Sequence, residues 1–323
     1  MLLTERKKVL ITGGGGFIGS HLVRRLLDLD HEVLVLDNFS SGCISNLTDI
    51  IDNKSLRVID KCVTEDFDYQ VDWVFNLACP ASPVRYQISP VKTAITNAIG
   101  VKNVLDMALK RGCRVLQAST SEVYGDPDKH PQNEDYWGNV NPIGSRSCYD
   151  EGKRFAETLC TDYARSFGVD VRIARIFNTY GPRMQVDDGR VISNFIVQAL
   201  RGQCLTVYGD GSQTRSFCFV SDLVDGLIRL MSADTASVKP INLGNPLETT
   251  MLELARVILS LTGSTEERLV FDKLPNDDPK RRCPDIHRAI ESLDWMPLVG
   301  LDRGLELTIE YFRRAILSGW ERN

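Results

Sequence analysis

Residues 9–19 read VLITGGGGFIG, an apolar run that breaks into four glycines and then into an amphipathic stretch. Gly13, Gly16 and Gly19 fit a G-x-x-G-x-x-G spacing, and Gly14, Gly16 and Gly19 equally fit G-x-G-x-x-G. In either register a strand precedes the glycines and a helix follows. Missing side chains let the backbone turn tightly and let a pyrophosphate approach the free N–H groups of the helix's first turn. Such a turn also closes a helix onto a strand for purely structural reasons, so the second strand matters. Its pattern, 32–36, ends in Asp37, about 20 residues past the glycines. A carboxylate there accepts hydrogen bonds from both hydroxyls of an adenosine ribose and repels a 2′-phosphate. The following NFSSGCISN holds no Arg or Lys to welcome one, so NAD is expected rather than NADP.

The same strand–helix alternation continues. Candidate strands at 9–12, 32–36, 56–59, 73–77 and 114–118 are rich in Val, Ile and Leu and lack strict alternation, as strands buried on both faces do. Helical patterns at 17–29 and 91–110 lie between them, and a strand at 171–177 follows a helix at 149–167. The expected class is α/β, a doubly wound parallel sheet of Rossmann type with a smaller mixed α/β substrate lobe. Past Asn178 the helical patterns (191–201, 222–231, 251–261, 301–317) are broken by Gly181-Pro182, Gly209-Asp210-Gly211 and Asn245-Pro246. Residues 1–177 plus about 220–246 are read as the dinucleotide-binding part, and 178–219 plus about 247–323 as the second lobe.

Composition narrows the function classes. Of 323 residues, 43% are hydrophobic and 25% charged, which excludes a disordered chain. A net charge of −5 gives no support to a nucleic-acid partner, and no apolar stretch of about 18 residues predicts a membrane span. The N-terminal VLIT leads straight into the glycines and so belongs to the fold rather than to a signal peptide. Nine cysteines without a Cys-x-x-Cys pair read as reduced thiols in a cytoplasmic protein. His21, His31, His130 and His287 show no metal-ligand spacing, so no metal is expected.

Ser119-Thr120-Ser121-Glu122 follows the fifth strand, where ligands of a doubly wound sheet sit. The same residues also suit a helix N-cap. Tyr149-Asp150-Glu151-Gly152-Lys153 opens a helix, and the i, i+4 spacing puts Tyr149 and Lys153 on one face. A phenol of pKa about 10 is a poor base at neutral pH, and a neighbouring ammonium lowers that value. Lys153 can hold the nicotinamide ribose while Tyr149 removes a hydroxyl proton as hydride passes to NAD.

With these residues in place the chain resembles the extended short-chain dehydrogenases/reductases, and among them the UDP-glucuronate decarboxylases (UDP-xylose synthases). The matching stretches are ITGGGGFIGSHL, STSEVYGDPDKHPQNEDYWGNVNPIG, CYDEGKRFAET, ARIFNTYGPRM, DGRVISNFIVQAL, LTVYGDGSQTRSF and INLGNP, and the match reaches the 279–282 region. The resemblance implies conversion of UDP-glucuronate to UDP-xylose through a UDP-4-keto intermediate, with NAD recycled internally. It implies cofactor contacts from Gly13, Gly16, Phe17 and Ile18, from Asp37, Asn38, Ser41 and Gly42, and from Leu77, Thr96, Tyr149 and Lys153. Thr120 and Ser121 would bind the reacting oxygen, and Glu122 would position the sugar or manage a proton near its carboxylate. Arg282 would pair with that carboxylate or stabilise an enolate, although Lys280-Arg281-Arg282, with Asp277 and Asp278 nearby, also reads as a solvated charge run. Asn178, Arg190 and Arg215 are implied as substrate contacts, the first and last near the nucleotide diphosphate. Tyr208 and Gln213 are implied on a hairpin that packs on uracil.

Three positions depart from the family pattern. Cys62 replaces an adenine-contacting Asp, Cys79 replaces a Ser, and Ile95 replaces a lysine near the sugar. The last implies altered substrate affinity or partial release of the 4-keto pentose. The nearest rivals are nucleotide-sugar 4-epimerases and 4,6-dehydratases; the latter carry Asp-Glu where this chain has Ser121-Glu122. A non-catalytic NAD-binding sensor is the rival from another class. The resemblance also implies a homodimer packed through helices 91–110 and 149–167.

Overall fold

The computed structural model describes residues 5–234, 239–273 and 281–318. Asp277, Asp278 and Lys280 lie outside the described residues. The chain opens with β1 (Lys8–Thr12), α1 (Phe17–Asp28), β2 (Glu32–Asp37), β3 (Leu56–Asp60) and β4 (Trp73–Asn76). Next come α2 (Pro83–Tyr86), α3 (Pro90–Ile95), α4 (Val101–Arg111), β5 (Arg114–Thr120), α5 (Ser147–Phe167) and β6 (Val171–Ile176). The later part holds β7 (Thr179–Tyr180), α6 (Val191–Leu200), β8 (Leu205–Tyr208), β9 (Thr214–Ser216), β10 (Cys218–Phe219) and α7 (Val220–Ser232). It ends with β11 (Ile241–Leu243), β12 (Glu248–Thr250), α8 (Met251–Thr262), β13 (Leu269–Asp272), β14 (Arg281–Arg282), α9 (His287–Leu293) and α10 (Leu301–Leu317).

Seven strands form one sheet in the order β3-β2-β1-β4-β5-β6-β11, and every pairing in it is parallel. Parallel strands need helical crossovers that cover both faces, which explains the uninterrupted apolar runs: Val9, Leu10 and Ile11 are fully buried. Helices α1 and α7 pack with the later segments on one face; α4 and α5 cover the other. Strand order reverses between β1 and β4, so their carboxyl ends splay into the crevice where such sheets bind ligands.

The helix read at 91–110 is three pieces. Between α3 and α4 the residues Thr96–Gly100 form a π turn. Thr96 Oγ1 donates to the Lys92 carbonyl and Asn97 Nδ2 to the Thr93 carbonyl, and such side-chain competition for helical carbonyls loosens the regular ladder. The strand read at 73–77 stops at Asn76 and the one at 171–177 at Ile176. The later segments make small sheets: β12-β9-β14, β13-β8 and β10-β7. Strand β8 pairs with β13 while β9 pairs with β12 and β14, so Tyr208 and Gln213 flank a turn between two sheets rather than a paired hairpin. Among the described residues no helix is long and apolar enough to cross a membrane.

Candidate active site

A cleft of about 930 Å³ runs from the carboxyl ends of the parallel strands to the small sheets. Each residue given a cofactor, catalytic or substrate role above lies on its wall, as do Cys62 and Cys79. Ile95 does not; Lys92, one turn earlier, does. Ile95 is 44% exposed on the outside of α3, so the substitution there removes no cation from the cleft wall.

The glycine turn settles the register. Gly13 has φ +75°, and a Cβ on Gly19 would stand 2.2 Å from the Gly13 carbonyl oxygen. The functional spacing is therefore Gly13-x-x-Gly16-x-x-Gly19. Gly16 is the N-cap of α1 and brings no side chain to its free N–H groups, which leaves them to an anion. Asp37, at the end of β2, accepts from the Gly15 amide at 2.9 Å and the Phe39 amide at 2.8 Å. Burial pushes its carboxyl up and these two N–H bonds oppose the rise. A bare cradle, open helix N–H groups and a fixed carboxylate suit the pyrophosphate and ribose of a dinucleotide. Arg190 pairs with Asp188 and stands 5.8 Å from the Phe17 ring at the start of α1, which places it at the glycine-turn end of the cleft.

Thr120 ends β5, where its Oγ1 accepts from the Glu122 amide at 3.2 Å and caps the following turn. Its hydroxyl also acts on the Tyr149 phenol, easing that group's ionisation, so cap and site residue are one. Tyr149 lies flat against Tyr86, ring centroids 4.9 Å apart and planes 5° apart. Lys153 Nζ donates to the Ala118 carbonyl at 2.9 Å and stands 5.8 Å from the Tyr149 ring. Burial, aided by Cys79, pushes the Tyr149 phenol well above its usual range. The expected lowering by Lys153 is thus outweighed: desolvation of the phenolate dominates while the ammonium is engaged by a backbone carbonyl.

Glu122 is the second centre. Arg282, on β14, grips both its carboxylate oxygens, one at 2.9 Å, and Arg146 pairs with it at 2.8 Å. Burial raises the Glu122 pKa, but Arg282 and Arg146 outweigh it and hold the carboxyl below the usual range. Two guanidiniums against one carboxylate leave a net positive charge beside Tyr149 and Thr120, fitted to a second carboxylate. The solvated-run reading of Arg282 fails, since its side chain is only 6% exposed. Asp150, next to Tyr149, is pushed up to about 7 by burial and by Glu122.

Sequence reasoning missed Arg146, Tyr86 and Ser82, all on the cleft wall. Tyr86 Oη and Ser82 Oγ are buried with no hydrogen-bond partner. Ser82 and Tyr86 belong to the segment after β4, which the switch-point rule points to; Arg146 carries no local signal. At the far end, β9 and β14 set Arg215 beside Arg282 in register, the Asn178 carbonyl accepts from the Cys218 amide, and Gln213 Nε2 donates to the Tyr208 carbonyl at 2.8 Å.

A family model described as the NAD dependent epimerase/dehydratase family matches residues 9–244. The chain belongs to this family. Within the epimerase/dehydratase family it is 54% identical over 312 residues to a Danio rerio protein named UDP-glucuronic acid decarboxylase 1, covering 97% of this chain and 74% of that one. It is 56% identical over 307 residues to UDP-glucuronic acid decarboxylase 5 of Arabidopsis thaliana, covering 95% and 89%. A crystal structure of UDP-glucuronic acid 4-epimerase from Bacillus cereus, in complex with UDP-glucuronic acid and NAD, superposes with a TM-score of 0.84 at 27% identity, covering 95% of this chain and 99% of that one.

Proposed function

We propose that this protein converts UDP-glucuronate to UDP-xylose and carbon dioxide, using NAD that is reduced and reoxidised within each turnover. The observation that carries this reading is the pair of guanidiniums on Glu122, a carboxylate-binding centre beside an oxidation centre of Tyr149 and Thr120. Relatives more than half identical over nearly the whole chain support it. Held by the glycine turn, Asp37 and Lys153, NAD would supply a reversible hydride acceptor for sugar carbon 4 and a positive charge beside Tyr149. Tyr149, beside Thr120 and stacked on Tyr86, takes the proton of the 4-hydroxyl and gives it back at the end. Lys153 anchors the nicotinamide ribose and, with Asp37 and the glycine turn, fixes the dinucleotide.

The 4-ketone lies β to the carboxylate, so the electrons of the breaking carbon–carbon bond enter the carbonyl and form an enolate. Arg146 and Arg282 bind the carboxylate first and then face the enolate's charge. Glu122 holds both guanidiniums in place and positions the water or acid that protonates carbon 5. Ser121 assists Thr120 at the reacting oxygen. Arg215 and Asn178 take the diphosphate, and Tyr208 and Gln213 the uracil. Arg190, from its place against Phe17, serves the dinucleotide's phosphates rather than the sugar. Residues 1–177 plus about 220–246 hold the cofactor, and the later segments hold the UDP-sugar.

Val91, Ile95 and Ile99, spaced four apart, are exposed on α3 and the π turn, as is Phe155 on the adjoining α5. This apolar face supports a homodimer packed through these helices, with Ile95 in its interface. The nine unbridged thiols support a reducing compartment, the cytoplasm. The test is incubation of purified protein with NAD and UDP-glucuronate. Nuclear magnetic resonance is expected to show UDP-xylose and carbon dioxide in equal amounts. Epimerisation without loss of carbon dioxide would overturn the reading.

A further inference from the structure

Three side chains that the proposed chemistry does not use converge at the small sheet. His130 Nε2 stands 2.9 Å from Glu248 Oε2, and these groups and the Cys283 thiol lie with all donor atoms within 4.8 Å of one another. The supports are well fixed. The Gln132 amide donates to the Cys283 carbonyl at 2.9 Å, and the Cys283 amide donates to Gln132 Oε1 at 2.9 Å. The His130 and Cys283 segments are thereby tied together. Thr214 Oγ1 donates to Glu248 Oε1 at 2.5 Å, which leaves Oε2 turned toward His130.

Register gives the face. Arg282 pairs with Arg215, and Glu248 pairs with Ser216, the next residue on β9. Alternation along a strand therefore sends Glu248 and Cys283 to the face opposite Arg215 and Arg282, which line the cleft. One imidazole, one carboxylate and one thiol form a donor set for a borderline-soft divalent cation, and are poorly suited to magnesium or calcium. A tetrahedral zinc ion with bonds of about 2.0–2.3 Å spaces its donors roughly 3.3–3.8 Å apart. The side chains reach that spacing by shifting about one ångström, with the strands unmoved.

We propose that His130, Glu248 and Cys283 form a binding site for a divalent transition-metal ion of the zinc class, on the back of the small sheet whose front carries Arg215 and Arg282. The cation takes the imidazole nitrogen, a carboxylate oxygen and the thiolate, with solvent in the fourth position. The thiol proton, which now rests on the Pro246 carbonyl at 3.3 Å, leaves to solvent on binding. The bound ion ties β14, and with it Arg282, to β12 and to the segment after β5. His130 shows no metal spacing in sequence because its co-ligands Glu248 and Cys283 come from distant segments.

Cobalt(II) is the probe, added to the purified NAD-loaded protein. The expected result is a near-ultraviolet thiolate-to-cobalt band that saturates at one cobalt per chain and is displaced by zinc. Cys283→Ser abolishes this band, His130→Ala weakens it, and zinc raises the melting temperature of the wild type alone. Identical spectra for wild type and Cys283→Ser, or no saturation at one cobalt per chain, would overturn the site. If Cys283→Ser does not fold, Glu248→Gln and His130→Ala carry the same comparison through the visible cobalt bands.

Discussion

Replacing Glu122 by Gln tests the carboxylate centre most sharply. Glu122 is the sole carboxylate gripped by both Arg146 and Arg282 among the described ion pairs, and the side chains are 13%, 18% and 6% exposed. Solvent screens these charges little. The neutral amide keeps one acceptor and turns an N–H group toward a guanidinium. Breaking a buried pair from one side costs about 3–5 kcal/mol; Arg146, the most exposed of the three, recovers part of its hydration, so about 3 kcal/mol is expected. At roughly 2 °C per kcal/mol in a chain of this size, the melting temperature falls by about 6 °C. The ligand response then inverts the usual pattern. In Glu122→Gln the two guanidiniums lose their bidentate partner and meet the sugar carboxylate with Asp150 as the competing carboxylate within the protein. UDP-glucuronate therefore raises the melting temperature of the variant more than that of the wild type, although turnover falls. UDP-glucose, without a carboxylate, gives no such excess. Differential scanning fluorimetry with both sugars reads this directly. A variant that melts with the wild type, or that gains equally from both sugars, would refute the reasoning.

Three further outcomes follow from other parts of the cleft. Asp37→Ala removes the carboxylate fixed at the end of β2 and weakens NAD binding roughly 10–100-fold, read by quenching of intrinsic fluorescence. Gly19→Ala drives a methyl group onto the Gly13 carbonyl; NAD binding is lost in the same assay and the melting temperature drops. Asp150 titrates at about 7 when folded and about 3.9 when unfolded. The stability it contributes as a neutral acid is full below pH about 4 and is lost as pH rises through about 7. Asp150→Asn should therefore melt close to the wild type at pH 4 and above it at pH 8. Equal melting at both pH values would show that Asp150 is not held neutral.

Much of the architecture is legible where the signal is local. The glycine turn, Asp37 and the Tyr149–Lys153 face each depend on a few adjacent residues whose spacing equals a backbone period. The family resemblance brought in both Arg282 and Glu122, but not their pairing: they lie 160 residues apart, and only tertiary folding joins them. Arg146 precedes α5 without any pattern to mark it. Strands β7, β10 and β14 have two residues each, too few for a hydrophobic period to register. The π turn at Thr96–Gly100 shifts the helical period by a single residue, which an apolar pattern cannot resolve. Ile95 precedes that turn, on the exposed face of α3, and so sits away from the cleft although Lys92 and Thr96 line it.

The decisive measurement is the turnover of UDP-glucuronate by Tyr149→Phe, assayed as carbon dioxide released by protein shown to be folded and loaded with NAD. Losing the one group that moves the 4-hydroxyl proton should slow release by about 10²–10⁴-fold while the melting temperature and NAD content stay close to those of the wild type. Carbon dioxide released at the wild-type rate would contradict a mechanism that begins by oxidising the sugar.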